Sequence, residues 1–312
     1  MKIKQIKIEK LFGLEKNDFD IECFPNENIT ILYAFNGTGK TTLLRLIDAV
    51  YTNDAVALKG LLFSKIELIF DNGKTIAVEK EKSDGKDYKY LIDGKEADKV
   101  EINEIKKEFT VTPVFANKDY NRGVSTPKRT IAENVGTLWE AREFKQEAIP
   151  SGSMFNGDVG AIKPITRIEQ LISEKLQNPD ERVKVEEFAN IINENFPMTF
   201  KHLEIQDNKL LAVPDTEYPN DPVLELNMLS SGEIKLILMF YDLLFEAKTD
   251  SIVLLDEPES SFHLDWQRNC LSTVMKICDD KDLQVIVATH SPAIVEEYFC
   301  LQVPMISARY KK

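Results

Sequence analysis

The sequence predicts an α/β fold: a core built on a parallel β-sheet, with an antiparallel β lobe and an inserted helical subdomain attached to it. Three observations carry that prediction. Short apolar runs at 28–33, 251–256 and 284–289 read as strands buried on both faces, as parallel sheets require. Alternating runs at 63–70, 75–80 and 88–92, punctuated by Asp71-Asn72-Gly73 and Asp93-Gly94, read as antiparallel strands joined by tight turns. Between them and the last strands, Ile165, Ile168, Leu171, Ile172 and Leu176, then Phe188, Ile191 and Ile192, follow helical spacing.

In chain order, residues 2–33 give three strands, at about 2–10, 17–23 and 28–33. The third runs into Ala34-Phe35-Asn36-Gly37-Thr38-Gly39-Lys40-Thr41-Thr42, and a helical stretch to Val50 follows. Strand, glycine-rich loop and helix in that order make a phosphate-binding loop. Gly37 and Gly39 let the backbone curl so that its N–H groups turn toward an anion, and the new helix offers its positive end to the same anion. Lys40 can reach the β- and γ-phosphates of a nucleoside triphosphate, and Thr41 can ligate Mg²⁺. Asn36, Gly37, Thr38, Gly39, Lys40, Thr41 and Thr42 are therefore the expected nucleotide-binding residues. The usual first glycine of the pattern is Ala34 here, which predicts a turn that is legal for an L-residue. A glycine-rich surface turn is the alternative reading of the loop taken alone.

Residues 61–118 form the expected β lobe, with Val111–Ala116 returning to the core. Residues 119–199 form the expected helical insert, with 150–160 as its linker or loop, and 1–60 plus 200–312 form the nucleotide-binding core. Lys2, Lys4 and Lys7, and a loop with Lys118, Arg122, Lys128 and Arg129, are the candidate basic patches, against a plainer reading as solvated lysines beside acidic neighbours.

Three later segments complete the candidate site. Leu229-Ser230-Ser231-Gly232-Glu233 precedes an apolar helical run from Leu236 to Phe245, and reads either as an anion-binding helix start or as a plain capping box. Leu254-Leu255-Asp256-Glu257 ends a buried strand in two carboxylates. Asp256 is placed to hold Mg²⁺, and Glu257 to polarise an attacking water as general base. Gln284–Thr289 is one more buried strand, and His290 at its tip can reach both a γ-phosphate and the nearby glutamate.

The phosphate loop, Leu-Ser-Ser-Gly-Glu, Leu-Leu-Asp-Glu-Pro and Thr-His-Ser-Pro, in this order, resemble an ATP-binding-cassette (ABC) ATPase. The segment Glu257-Pro-Glu-Ser-Ser-Phe-His263-Leu-Asp-Trp-Gln267 is similar to the E-P-E-x-x-L-H-x-x-x-Q pattern of the soluble branch. That branch contains RecF, SMC and the overcoming-lysogenization-defect (OLD) ATPases, AAA-type enzymes found in prokaryotic defence systems. The resemblance implies a P-loop NTPase fold and an ATP hydrolase that uses ATP and Mg²⁺. It also implies a homo-oligomer, an ATP-sandwich dimer or higher, in which Lys40, Asp256, Glu257 and His290 of one copy face Ser230 and Gly232 of another. Two departures stand out. No glutamine follows the 111–116 strand, where only Asn117 could replace the expected glutamine loop. OLD nucleases continue past Thr-His-Ser-Pro into a nuclease domain, whereas 20 residues follow Pro292 here. The expectation is an ATPase without its own effector, gating a separate nuclease or toxin in anti-phage defence. The alternatives are a RecF- or SMC-like DNA clamp, with nucleic acid as partner, and, less favoured, a transporter's nucleotide-binding subunit.

Composition agrees with such a chain. It has 312 residues, 43% hydrophobic and 29% charged, enough for a large core. A net charge of −13 argues against a wholly basic surface for nucleic acid. Cys23, Cys270, Cys278 and Cys300 lack C-x-x-C spacing, so neither a zinc ribbon nor a redox pair is expected. The longest apolar run is about half a bilayer span, and no signal peptide is seen, so a cytoplasmic protein without membrane contact is expected.

Overall fold

The computed structural model describes residues 1–115 and 164–307, apart from 84, 86, 109, 217, 219 and 220. The basic loop around Lys118–Arg129, Asn117 and the 150–160 stretch lie outside the described residues. Two compact units divide the chain: Met1–Asn117 with Phe245–Lys312, and Lys118–Leu244. Residues 200–244, grouped by the sequence reading with the nucleotide-binding core, thus fall in the second unit.

The first unit holds two sheets. β1 (Ile3–Glu9), β2 (Phe19–Glu22), β4 (Lys65–Phe70), β5 (Thr75–Lys80), β6 (Tyr88–Ile92) and β7 (Lys95–Glu96) form a six-stranded antiparallel sheet in the order β2-β1-β4-β5-β6-β7. Its strands alternate: β4 buries Ile66, Leu68 and Phe70 and turns Lys65, Glu67 and Ile69 away. β3 (Ile29–Tyr33), β8 (Val111–Phe115), β11 (Ile252–Asp256), β12 (Gln284–Thr289) and β13 (Gln302–Pro304) form a parallel sheet in the order β13-β3-β12-β11-β8. β11 and β12 are buried at every position, which explains why their sequences are apolar between Ile252 and Leu255 and between Val285 and Ala288.

Between these sheets runs α1 (Lys40–Thr52), followed by the short α2 (Ala55–Gly60) and α3 (Lys99–Ile105). Leu43, Leu44, Leu46, Ile47 and Val50 of α1 share one core with Ile6, Ile8, Leu68 and Phe70 of the antiparallel sheet and with Ile252, Leu254 and Ile286 of the parallel one. A buried glutamine adds a polar tie between the sheets. Gln284 donates to the Ile3 carbonyl and accepts from the Ile3 N–H, both at 2.7 Å. Ile3 sits where a bulge interrupts the β1–β4 ladder, so Gln284 satisfies backbone groups that a strand partner would otherwise take.

The register sets the site. Tyr33 of β3 pairs with Thr289 of β12, and Asp256 of β11 pairs with Ala288 of β12. The carboxyl ends of three strands are level, and the loops that leave them converge at one edge, where ligands of parallel sheets bind. α7 (Leu264–Lys281) and α8 (Pro292–Val295) follow β11 and β12.

The second unit contains α4 (Pro164–Lys175), α5 (Pro179–Asn195), β9 (Lys201–Gln206), β10 (Lys209–Pro214) and α6 (Ser231–Tyr241). Ile165, Ile168, Ile172 and Leu176 are buried, as are Phe188 and Ile192, while Leu171 and Ile191 are half-buried. Asn193 of α5 holds β9 with a two-way bond to the Leu203 backbone, at 2.8 and 2.9 Å. Phe196 packs on Phe240 of α6 with ring centroids 5.0 Å apart. Beside its helices this unit carries the antiparallel hairpin β9–β10, which the sequence reading does not anticipate. No helix among the described residues is long and apolar enough to cross a membrane.

Candidate functional site

The glycine-rich loop leaves β3 at Tyr33 and enters α1 at Lys40. Gly37 has φ +81° and Gly39 φ +106°, conformations that side chains resist. At Gly39 a Cβ would also meet Leu11 Cδ2 at 2.7 Å and the Phe12 ring at 3.2 Å, so these side chains would have to shift in addition to the conformational strain. Ala34 is not among the positive-φ residues, as the sequence predicts for an alanine in the place of the first glycine. Asn36 and Gly37 are exposed at the loop tip, Thr38 and Thr42 half-buried, and Thr38 Oγ1 donates to the Phe35 carbonyl at 2.6 Å.

Lys40 folds back over this loop. Its ammonium donates to the carbonyls of Ala34 (2.7 Å) and Phe35 (3.2 Å), which holds the positive charge at the mouth of the loop. Burial lowers its pKa, while Glu257, Asp256 and Glu259 act in the opposite sense. Those carboxylates come from the end of β11. Asp256 Oδ1 accepts from Thr41 Oγ1 at 2.9 Å. Burial raises the Asp256 carboxyl above its usual range; the Thr41 bond lowers it, Glu257 raises it and Arg45 lowers it.

Glu257 follows at φ +45°, left-handed for a residue with a full side chain, a conformation that costs roughly 1–2 kcal/mol. Its N–H donates to the Ala288 carbonyl at 2.8 Å, so the strand ladder extends one residue while the side chain is turned out at the strand tip. Strain of this kind gathers at functional sites. Its Oε1 lies 3.3 Å from His290 Nδ1.

Two residues beyond, Glu259 is buried at 4% exposure, and its Oε1 accepts from Thr289 Oγ1 and from the His290 backbone N–H. The sequence reading assigns Glu259 no role; the only signal was its place in the E-P-E segment. Gln267 and Ser291 are joined as well, with Ser291 Oγ donating to Gln267 Oε1 at 2.7 Å. That bond ties the start of α7 to the segment after β12. His263 is exposed and caps α7, accepting from the Asp265 N–H at 3.4 Å.

The first unit therefore brings Lys40, Thr41, Asp256, Glu257 and His290 to one sheet edge. A hydroxyl and a carboxylate 2.9 Å apart suit the partial coordination shell of Mg²⁺, which keeps water and substrate phosphate as its other ligands. Among the described residues no group of three or more His, Cys, Asp or Glu could hold a metal ion.

Ser230 and Gly232 lie in the second unit. Ser230 caps α6 in a capping box: its Oγ accepts from the Glu233 N–H at 3.4 Å, and Glu233 Oε2 accepts from the Ser230 N–H at 2.8 Å. Lys201 pairs with Glu233 Oε1 at 2.8 Å. Burial acts to raise Glu233, but Lys201 and Ser230 outweigh it and hold the carboxyl below its usual range. The Asn227 N–H before the cap donates to Glu169 of α4 at 3.1 Å, fixing the approach to the helix. Ser230 is exposed, and with Oγ accepting at the cap its hydroxyl hydrogen is left to donate outward.

A family model described as "AAA domain, putative AbiEii toxin, Type IV TA system" matches residues 29–296. No curated protein matches the chain. Among solved structures, the SMC head domain from Thermotoga maritima is similar with a TM-score of 0.52 and 16% identity, over 99% of this chain and 97% of that one. An SMC head bound to the C-terminal winged-helix domain of ScpA gives a TM-score of 0.60 and 14% identity, over 99% and 96%. A third, an SMC head with an extended coiled coil bound to the C-terminal domain of ScpA, from Pyrococcus furiosus, gives 0.54 and 13%, over 98% and 94%. At such identities the similarity shows the fold: a P-loop NTPase of the kind seen in SMC heads, with parallel and antiparallel sheets.

Proposed function

The chain belongs to this AAA-domain family, and from that premise we propose that it is an Mg²⁺-dependent ATPase that closes head to tail with a second copy around ATP and gates a separate effector protein. The effector is a nuclease or toxin, and the setting is prokaryotic anti-phage defence. The family's own description, which names a toxin and a toxin–antitoxin system, is compatible with that setting.

One observation carries the reading. Lys40, the Thr41–Asp256 pair and the Glu257–His290 pair converge at one sheet edge, while Ser230, the exposed cap of α6, belongs to the other compact unit. In the proposed cycle Lys40 exchanges its loop carbonyls for the β- and γ-phosphates. Thr41 and Asp256 would hold Mg²⁺, whose charge would offset that of the triphosphate. Glu257, turned out at the strand tip, orients the attacking water and takes up its proton, and His290 contacts the γ-phosphate. Ser230 and the α6 start of the second copy close over the same phosphate. Loss of the γ-phosphate removes the contacts that hold the two copies together, and the assembly opens.

A second reading, an SMC-like clamp on DNA, draws on the fold similarity. Two of the similar heads carry a domain of ScpA, which supports a protein-binding role for this fold as much as a DNA-binding one. Of the basic residues at the start of the chain, Lys2 is paired to Asp282 at 2.7 Å, Lys7 stands in register between Asp20 and Glu67, and Lys4 is exposed.

The test is a tagged pull-down of Glu257→Gln from its native host with Mg²⁺ and ATP, read by mass spectrometry and a nucleic-acid assay. A co-purifying nuclease or toxin-like protein supports the proposal. DNA without a protein partner favours the clamp, and a membrane protein would return the transporter reading.

A further inference from the structure

We propose that Gln267 is a positioning residue for the Glu257–His290 pair, acting through its bond to Ser291. This rests on the reading of Glu257 as general base and His290 as γ-phosphate contact; the cycle above gives Gln267 no task of its own.

The two members of that pair leave the sheet on different loops. The ladder between β11 and β12 ends with the Glu257 N–H on the Ala288 carbonyl at 2.8 Å, and beyond it side chains join the loops. Glu259 makes one tie, accepting from the Thr289 hydroxyl and from the His290 N–H. Gln267 makes another, accepting from Ser291 Oγ at 2.7 Å. The ties reach the chain on both sides of the His290 Cα, so together they hold the backbone from which its ring stands 3.3 Å from Glu257.

The second tie needs an amide. Gln267 Nε2 donates to the Phe262 carbonyl at 3.1 Å while Oε1 takes the Ser291 hydroxyl, so one side chain is donor and acceptor at once. The Phe262 N–H in turn donates to the Glu259 carbonyl at 2.9 Å, and the Ser291 N–H to Thr289 Oγ1 at 3.0 Å. These bonds close a ring through Glu259, Thr289, Ser291, Gln267 and Phe262. Ser291 is committed to it. The residue stands at the cap of α8, where a serine ordinarily accepts from helix N–H groups. Its side chain makes no cap bond among the described residues and is given to Gln267 instead. A brace at this place matters because misplacing a catalytic group by about 1 Å costs roughly 100-fold in rate.

Variants of the full chain test this. Gln267→Met keeps the length and loses both polar atoms, Ser291→Ala loses the hydroxyl, and Ser291→Thr keeps it. Gln267→Met and Ser291→Ala should each lower kcat about tenfold while Kd for ATP stays within about twofold, and Ser291→Thr should keep the rate. The double variant should fall within about twofold of the slower single one, because both changes break one bond. Amide hydrogen exchange on the nucleotide-free protein should rise in both single variants, at 257–263 and at 289–292 together, with β4–β6 unmoved. Losses that multiply in the double variant overturn the inference, as does a kcat for Ser291→Ala within about twofold of the unaltered chain. Unchanged exchange at the two segments, or ATP affinity that falls with the rate, overturns it too. If Gln267→Met does not fold, the contrast between Ser291→Ala and Ser291→Thr decides, and equal rates in the two overturn the inference. Absence of hydrolysis in the unaltered chain overturns the functional reading instead, and the exchange data then decide whether the brace exists.

Discussion

Thr41 Oγ1 and Asp256 Oδ1 lie 2.9 Å apart although 215 positions separate them in the chain. The contact joins the first turn of α1 to the end of β11, and it exists because β3, β12 and β11 stand in register with their carboxyl ends level. Its chemistry, one hydroxyl and one carboxylate at a helix start, is what a phosphate-bound Mg²⁺ needs from a protein.

Removing the Lys40 ammonium tests the phosphate loop. Lys40→Ala is expected to weaken ATP binding about 100-fold, near 2.7 kcal/mol, in a fluorescence-polarisation titration with a labelled nucleotide. Affinity within a few-fold of the unaltered chain would mean that the loop does not bind phosphate.

Glycine is required for different reasons at two loop positions. Gly39→Ala forces a Cβ into Leu11 at a positive φ, whereas Gly37→Ala meets nothing within 4 Å and bears only the conformational strain. We expect Gly37→Ala to cost about 1 kcal/mol and Gly39→Ala about 2–3 kcal/mol in denaturant unfolding. Equal costs would contradict the close approach of Leu11.

The raised Asp256 carboxyl has a signed consequence. Burial is its first cause, so folding favours the protonated acid and the folded chain holds a proton that the unfolded chain releases. Stability therefore falls as pH rises from the ordinary carboxylate value through the raised one, and the full cost is present above it. Asp256→Asn cannot ionise, and should raise the Tm at neutral pH without metal. It should also lose the further rise that Mg²⁺ with ATP gives the unaltered chain. A lower metal-free Tm at neutral pH would contradict the burial argument.

Ser230 is expected to act in trans. Ser230→Arg gives up a helix cap, about 1 kcal/mol of stability, and sets a bulky cation at the α6 start. The isolated variant should bind ATP as tightly as the unaltered chain and fail to associate on binding it. Association at normal ATP concentrations would rule out a site shared through Ser230.

Much of this was legible in the sequence, for physical reasons that differ by element. β3, β11 and β12 are readable because a strand buried on both faces is apolar at most of its positions, and β4–β6 because one face of their sheet is wetter. The phosphate loop is readable because Gly37 and Gly39 are demanded by backbone geometry. The β9–β10 hairpin is hard to read although Asp207-Asn208, both at positive φ, is a turn signal, because Lys201–Gln206 alternates too weakly to stand out. Gln284 reads as a polar start to a strand, and only the bulge at Ile3 makes it a tie between sheets. The contacts of Glu259 are not legible in the sequence because its partners, Thr289 and His290, are set by the pairing of strands distant in sequence.

The central claim is that ATP joins two copies through a site neither completes alone. Glu257→Gln should bind ATP and slow hydrolysis by about 10²–10⁴-fold, leaving the closed state to accumulate. Light scattering on that variant measures the mass directly, with and without Mg²⁺ and ATP. The account predicts at least a doubling of mass on adding both and its reversal when the metal is chelated. A Glu257→Gln chain that is saturated with ATP and keeps the mass it has without nucleotide would contradict it.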